Sequence, residues 1–234
     1  MSSPRFFVTG TDTGVGKTRV TAGLLAAARA TGLKVAGMKP VASGAQQRDG
    51  RLVSEDALLI AEASGQSTPY EDLNPYCLLE PISPHIAANR ANIEIDIAKI
   101  AEIAARLARA HDLLLIEGAG GWYAPLRPRE SMADLVRAIG APVLLVVGLR
   151  VGCLNHARLT HEAIEWSGVG FSGLIACQLD PHFEALEENL ATLASLLGAP
   201  PLGMLPFERD GTRAALHLRA AVPRLRAARE NASR

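Results

Sequence analysis

The sequence predicts an α/β fold, a mostly parallel sheet with helices on both faces, and three observations predict it. Apolar strand-like runs alternate with helical patterns along the chain. Several of those runs are unbroken rather than alternating, which marks strands buried on both faces. A glycine-rich stretch joins the first run to the first helix, at the edge where open α/β sheets bind ligands.

Taken in order, Phe6-Phe7-Val8 centres a first strand over Arg5–Thr9, and Val20–Ala30 follows as a helix. Lys34–Met38 reads as the second strand. Ala45–Ile93, with prolines at 69, 75, 81 and 84, reads as a lid-like excursion carrying a short helix around Asp56–Ala63. A helix over Ile97–Ala110 leads into the strand Leu113–Glu117, and a helix over Ala133–Ile139 leads into the strand Val143–Gly148. Asn155–Trp166 is helical, Gly173–Cys177 is a strand, Phe183–Leu197 is helical, and Leu202–Leu205 is a short last strand. Right-handed crossovers place the C-terminal ends of all these strands along one edge.

The chain has 234 residues and no long linker or composition break, so residues 1–234 read as a single domain with ample length for a core. With 24 basic and 24 acidic residues the formal charge is zero, which argues against nucleic acid or an anionic membrane as a partner. The Arg-rich stretch Arg213–Arg234 reads as a solvated helix face. Cys77, Cys153 and Cys177 have no metal-type spacing and read as reduced thiols. No charged-then-apolar segment precedes the first strand, and the longest apolar run, Pro142–Leu149, is too short to span a bilayer. The expected location is the cytoplasm.

Residues 10–18 read Gly-Thr-Asp-Thr-Gly-Val-Gly-Lys-Thr between strand and helix, the pattern of a phosphate-binding P-loop. The fold class is therefore a P-loop NTPase fold, and ATP or another nucleoside triphosphate is the expected co-substrate. Backbone N–H groups over Gly14, Val15 and Gly16 would face the phosphates. Lys17 would reach the outer ones and Thr18 would ligate Mg²⁺. Five residues intervene between Gly10 and Gly16, one more than usual, which makes this a variant loop.

In Asp112-Leu-Leu-Leu-Ile-Glu117-Gly118-Ala119-Gly120-Gly121-Trp122, four apolar residues deliver a carboxylate to a strand end, as a Walker-B element does for Mg²⁺. The glycines after it leave room for a phosphate. Asp56 is a second carboxylate for the metal or, equally, a helix-cap or surface residue. Lys39, held by Pro40 at the end of the second strand, is either an anion-stabilising cation or an exposed strand-end lysine. Ser43 is a ligand or a turn residue.

The combination resembles the dethiobiotin synthetase family. The resemblance rests on Gly10–Thr18, Lys39–Gly44, Asn74-Pro75-Tyr76, Glu80-Pro81 with Ser83-Pro84-His85, Glu117–Trp122 and Gly152-Cys153-Leu154-Asn155-His156, in family order from Phe6 to His161. It implies ATP- and Mg²⁺-dependent ring closure of 7,8-diaminononanoate with CO₂ (from bicarbonate) to a cyclic urea, through a carbamate and a carbamic–phosphoric anhydride. It places Thr13, Lys17, Lys39 and Ser43 around the diamine or its carbamate, with Lys39 and Lys17 as the catalytic lysines, and Thr18, Asp56 and Glu117 on Mg²⁺. It puts Gly14 to Arg19 and Glu117 to Ala119 and Gly120 on the nucleotide.

The resemblance also implies a homodimer in which Gly152, Cys153 and Asn155 receive the substrate carboxylate across the interface; Asn155 alone also reads as an ordinary helix cap. Cys177-Gln178 stands where relatives place an asparagine on the adenine edge, so the base preference stays open, and Pro206, Phe207 and Glu208 flank the base. Gly14 replaces an acidic loop residue of some relatives.

A switch ATPase of the chromosome-partitioning or septum-positioning kind shares the fold and a variant loop. Its signature lysine would stand five residues before Lys17, where this chain has Asp12. An amidoligase acting on corrinoid carboxylates would bring a further glutaminase domain.

Overall fold

The computed structural model describes residues 4–65, 68–208 and 213–232. Its elements begin with β1 (Arg5–Gly10), α1 (Lys17–Arg29), β2 (Val35–Met38) and the short strands β3 (Val41–Ser43), β4 (Gln46–Arg48) and β5 (Arg51–Val53). Next come α2 (Glu55–Ser64), α3 (Tyr70–Leu73), β6 (Tyr76–Leu78), α4 (Pro84–Arg90), α5 (Ile97–Ala110) and β7 (Leu113–Glu117). After β8 (Pro125–Arg127) and β9 (Glu130–Ser131), the chain runs through α6 (Met132–Ile139), β10 (Val143–Leu149), α7 (Cys153–Trp166) and β11 (Phe171–Gln178). It then passes through α8 (Leu186–Leu197), β12 (Gly203–Leu205), α9 (Ala214–Leu218) and α10 (Ala221–Ala232).

Six strands form one all-parallel sheet in the order β12-β11-β10-β1-β7-β2. Successive side chains of each strand point to opposite faces, and both faces are covered. Phe7, Leu114, Ile116, Leu145 and Val147 pack against α5, α6, α7 and α8, while Phe6, Val8, Leu113, Leu115 and Val146 pack against α1, α2, α9 and α10. That double burial is why the strands read as unbroken apolar runs.

The chain leaves β1 toward β2 at one edge, and leaves β10 toward β11 and β12 at the other. The direction of travel therefore reverses beside β1, and the β1–α1 loop stands at the crevice this creates.

Local chemistry sets the helix ends. In α5, Ile97, Ile100, Ile103, Ala104, Leu107 and Ala108 are buried at helical spacing, and the Asp96 carboxylate accepts from the N–H groups of Ala98 and Lys99 at 2.8 and 3.1 Å. In α2, Ser54 is the N-cap and Gly65, at φ 59°, ends the helix.

The stretch Ala45–Ile93 differs from the lid-like excursion read from the sequence. Ala57 and Ile60 of α2 are fully buried in the layer shared with α1, and Leu73, Asn74, Tyr76 and Leu78 are also buried. Among its described residues, the β4–β5 hairpin and the stretch from Asn89 to Ile93 are largely exposed. The region looked irregular because its elements are three to ten residues long and broken by prolines, too short for a periodic signal.

The Arg-rich end is helical, with Arg213, Arg219 and Arg224 on its solvated side, as read, while Ala214, Leu218, Ala221, Val222 and Leu225 form a buried apolar side. Among the described residues, no helix is long and apolar enough to cross a membrane.

Candidate active site

The β1–α1 loop forms because Gly14 and Gly16 take left-handed backbone, at φ 75° and 96°, which β-carbons disfavour. Val15 is buried with its side chain turned down toward Gly10 and Gly148, anchoring the loop rather than lining it. Cys177 is fully buried directly beneath Gly16. At the start of α1, Lys17 Nζ donates to the Asp12 carbonyl at 2.8 Å, and Thr18 Oγ1 donates to Glu117 Oε1 at 2.9 Å.

Three chain segments converge on Glu117, which ends β7 and is fully buried. Lys39, just past β2, places Nζ 2.5 Å from Glu117 Oε1, 2.9 Å from Asp56 Oδ2 and 3.3 Å from the Gly118 carbonyl. Asp56 arrives on the first turn of α2. The Glu117 Oε2 atom is buried and has no hydrogen-bond partner among the described residues.

A cleft of about 820 Å³ opens over this cluster, and Thr13, Gly14, Gly16, Lys17, Thr18, Arg19, Lys39, Ser43, Asp56, Glu117, Ala119 and Gly120 all line it. Sequence positions as distant as Thr13 and Gly120 thus share one wall. Lys39 is 4 % exposed, which excludes its reading as an exposed strand-end lysine.

Other expected residues stand elsewhere. The Gly118 N–H donates to the Val8 carbonyl at 3.0 Å, so it serves the sheet and not a phosphate. Gly152, Cys153 and Asn155 open α7 and do not line the cleft. Gly152, at φ 91°, is the N-cap of that helix, so Asn155 is a first-turn residue and not the cap.

Gln178, Pro206, Phe207 and Glu208 gather at the far end of α1's first turn. Arg19 Nη2 donates to the Pro206 carbonyl at 3.4 Å, the Phe207 N–H donates to Gln178 Oε1 at 3.3 Å, and Glu208 meets His217 Nε2 at 2.9 Å. The Cys177 thiol, pushed up by burial, stays beneath the loop while Gln178 is half-buried at its side.

The bracing of the loop by Asp12 and Arg150 escaped the sequence reading. The Asp12 carboxylate accepts the Thr13 N–H at 2.7 Å and the Arg150 guanidinium at 2.6 Å, bracing the loop from the end of β10. A partner 138 positions away leaves no local signal. Pro81, Ile82 and Ser83 just ahead of α4, Pro84 at its start, and Ala42, Gly121, Ala124 and Pro125 also line the cleft.

Charge in the cleft is unevenly distributed. Burial pulls the Lys39 ammonium down, but the Glu117 and Asp56 carboxylates outweigh it and hold Lys39 above the ordinary lysine range. Burial pushes Asp56 up, yet Lys39 and the Thr18 hydroxyl leave it below the usual carboxylate range. Lys17 goes the other way, lowered to about 8 by burial and then by the charge of Lys39.

Phosphate oxygens would favour the charged form of Lys17 and raise it again. Nucleotide binding at pH 8 is therefore expected to take up about half a proton, with little uptake at pH 6.5, where Lys17 is already protonated. Calorimetry of ATP binding in two buffers of different ionisation heat, at both pH values, measures this. Equal proton uptake at the two would contradict it.

The donor set suits a hard cation. Thr18 Oγ1, Asp56 and Glu117 offer oxygen ligands side by side, one of them the unpartnered Glu117 Oε2, as Mg²⁺ prefers.

With this loop at the topological switch point and a carboxylate at the neighbouring strand end, the protein is of the P-loop nucleotide-binding class. A family model described as an AAA domain matches residues 4–215. The ATP-dependent dethiobiotin synthetase BioD of Pseudomonas aeruginosa is 48% identical over 214 residues, covering 91% of this chain and 94% of that protein. The chain belongs to the ATP-dependent dethiobiotin synthetase family.

The synthetase of the same name from Nitrosospira multiformis is 47% identical over 205 residues, covering 88% and 89%. Among solved structures, the MinC:MinD cell division protein complex of Aquifex aeolicus matches with a TM-score of 0.61 at 18% identity over 96% of each chain. The cell division ATPase MinD of Pyrococcus furiosus matches at 0.59 and 17%, covering 97% of this chain and 99% of that one. At such identities the likeness is one of fold.

Proposed function

We propose that this chain is a cyclo-ligase that closes 7,8-diaminononanoate and CO₂ into dethiobiotin at the expense of ATP. Family membership supports the reaction, and one observation ties it to this cleft: the Lys39 ammonium sits between Asp56 and Glu117, beside the P-loop.

Thr13, Lys17, Lys39 and Ser43 surround the diamine. Only a neutral amine attacks CO₂, and the two lysine charges oppose a third ammonium while stabilising the carbamate that forms. The carbamate oxygen then attacks the γ-phosphorus of ATP, held in line by the loop N–H groups and Lys17. The second amine attacks the carbonyl carbon of the anhydride, and phosphate leaves as the ring closes. Thr18, Asp56 and Glu117 would hold Mg²⁺, which neutralises phosphate charge when bound.

Gln178, Pro206, Phe207 and Glu208 bound the base, with Arg19 tying α1 to that loop. The enzyme works as a cytoplasmic homodimer, in which Gly152, Cys153 and Asn155, lying outside this chain's own cleft, receive the carboxylate of substrate held by the second copy.

ADP release tests the reading. It is expected to require diaminononanoate and bicarbonate together and to ignore DNA and lipid vesicles. Stimulation by DNA or lipid alone would favour a switch ATPase, a reading that Asp12 already opposes.

A further inference from the structure

Lys39 and Asp56 meet beside Glu117 from different elements, one from the end of β2 and the other from the first turn of α2. The two elements touch closely: a β-carbon on Gly37 would stand 2.1 Å from Ile60 Cγ2. This contact sets how near α2 lies to β2, but apolar packing is non-directional and leaves the register along the strand loose.

A hydrogen-bonded chain supplies that register. The Tyr70 hydroxyl accepts the Ser54 N–H at 2.6 Å and donates to Asn74 Oδ1 at 3.2 Å. Asn74 Nδ2 donates to the Lys39 carbonyl at 2.7 Å, and the Lys39 N–H donates to the Leu73 carbonyl at 2.8 Å. Both polar groups of the Lys39 backbone are thus held by the end of α3.

The other end of the chain is the N-cap of α2. Ser54 Oγ accepts the Ala57 N–H at 3.4 Å, so the position of Ser54 decides where the first turn, and Asp56 within it, begins. Asn74 is 3 % exposed, and a buried amide with both ends engaged has one orientation. Burial pushes the Tyr70 phenol up to about 12, which keeps its proton on the hydroxyl.

We propose that Tyr70 and Asn74 are positioning residues of the synthetase: the Ser54–Tyr70–Asn74–Lys39 chain holds β2 and α2 in the one register at which the Lys39 ammonium bridges the Asp56 and Glu117 carboxylates. Neither residue lines the cleft. The inference rests on the roles proposed above for Lys39 and Asp56.

Tyr70→Phe removes the hydroxyl and keeps the ring. We expect kcat to fall and the Mg²⁺ concentration for half-maximal activity to rise, each by about tenfold, because small displacements of reacting groups are costly. The melting temperature should change by only a few degrees. Asn74→Ala should act in the same direction; if it fails to fold, Tyr70→Phe still carries the test.

The decisive measurement is the double variant. Because Tyr70 acts by setting Asp56 against Lys39, Tyr70→Phe should cost clearly less in an Asp56→Asn background, where that pairing is already lost, than in the parent. Kinetics of Tyr70→Phe within twofold of the parent, or an additive loss in the double variant, would overturn the proposal. Lys39→Ala measured alongside separates the two readings. If that variant keeps its turnover, the assigned roles fail; if it loses turnover while Tyr70→Phe does not, only the positioning fails.

Discussion

Lys39→Ala is expected to lower turnover by about 100-fold or more, since in the proposed reaction the substitution removes the cation that stabilises the developing carbamate and phosphoryl charge. The same change strips the nearest counter-ion from Glu117, which is fully buried, and leaves it the Thr18 hydroxyl and the more distant charge of Lys17. Breaking a buried pair from one side costs about 3–5 kcal/mol, so the nucleotide-free variant should also melt at a lower temperature.

The two losses are separable. With assays run below the lowered transition, kcat should still be down by two orders of magnitude while the affinity for ATP changes far less. Turnover within tenfold of the parent would contradict the role of Lys39, whatever happened to stability.

Gly16→Val should abolish nucleotide binding, with the dissociation constant for ATP weakened by about 100-fold or more through displacement of the loop N–H groups. Two effects combine. At φ 96° a residue with a β-carbon carries a left-handed penalty of roughly 1–2 kcal/mol, and that β-carbon would stand 2.5 Å from Cys177 Sγ. The sulfur has nowhere to go, because Cys177 is fully buried.

Titration with a fluorescent ATP analogue, with circular dichroism to confirm folding, reads the effect. Pairing Gly16→Ala with Cys177→Ala should recover only the steric part, leaving the backbone strain. Full recovery in that pair would show that φ at Gly16 matters less than argued.

The phosphate loop and the central strands were legible because their chemistry is local. Leu113–Glu117 is apolar on both sides of the sheet and ends in its carboxylate, so the strand and the residue it delivers are visible in one stretch. Ile97–Ala110 shows its buried face and its Asp96 cap within fifteen positions. Lys17 and Thr18 follow directly from their place at a strand-to-helix turn.

Asp56 was undecided in the sequence because a carboxylate in a helix's first turn serves equally as a favourable dipole partner. Its distance of 2.9 Å from Lys39 exists only once α2 packs on β2. In the stretch from Ala45 to Ile93 the helix around Asp56–Ala63 was legible and stands as α2, but the packing of that stretch was not, for the same reason. Its short elements are stable through what they pack against, such as Ile60 against the Gly37 backbone, and no periodicity announces that. Arg150 and Asp12 were invisible as a pair across 138 positions.

By itself, then, the sequence determined the α/β class, the strand order of events along the chain, the P-loop with Lys17 and Thr18, Glu117 at a strand end, and the resemblance to a synthetase family. These are properties of burial pattern and backbone conformation, which neighbouring residues impose on one another. Only the tertiary structure decided that Lys39 is buried between Asp56 and Glu117, that Cys177 lies directly beneath the loop, and that Tyr70 and Asn74 link the Ser54 and Lys39 backbones. Those facts depend on contacts between residues far apart in the chain. The energy of such contacts appears only when the sheet, its two helical layers and the Ala45–Ile93 stretch close around one cleft.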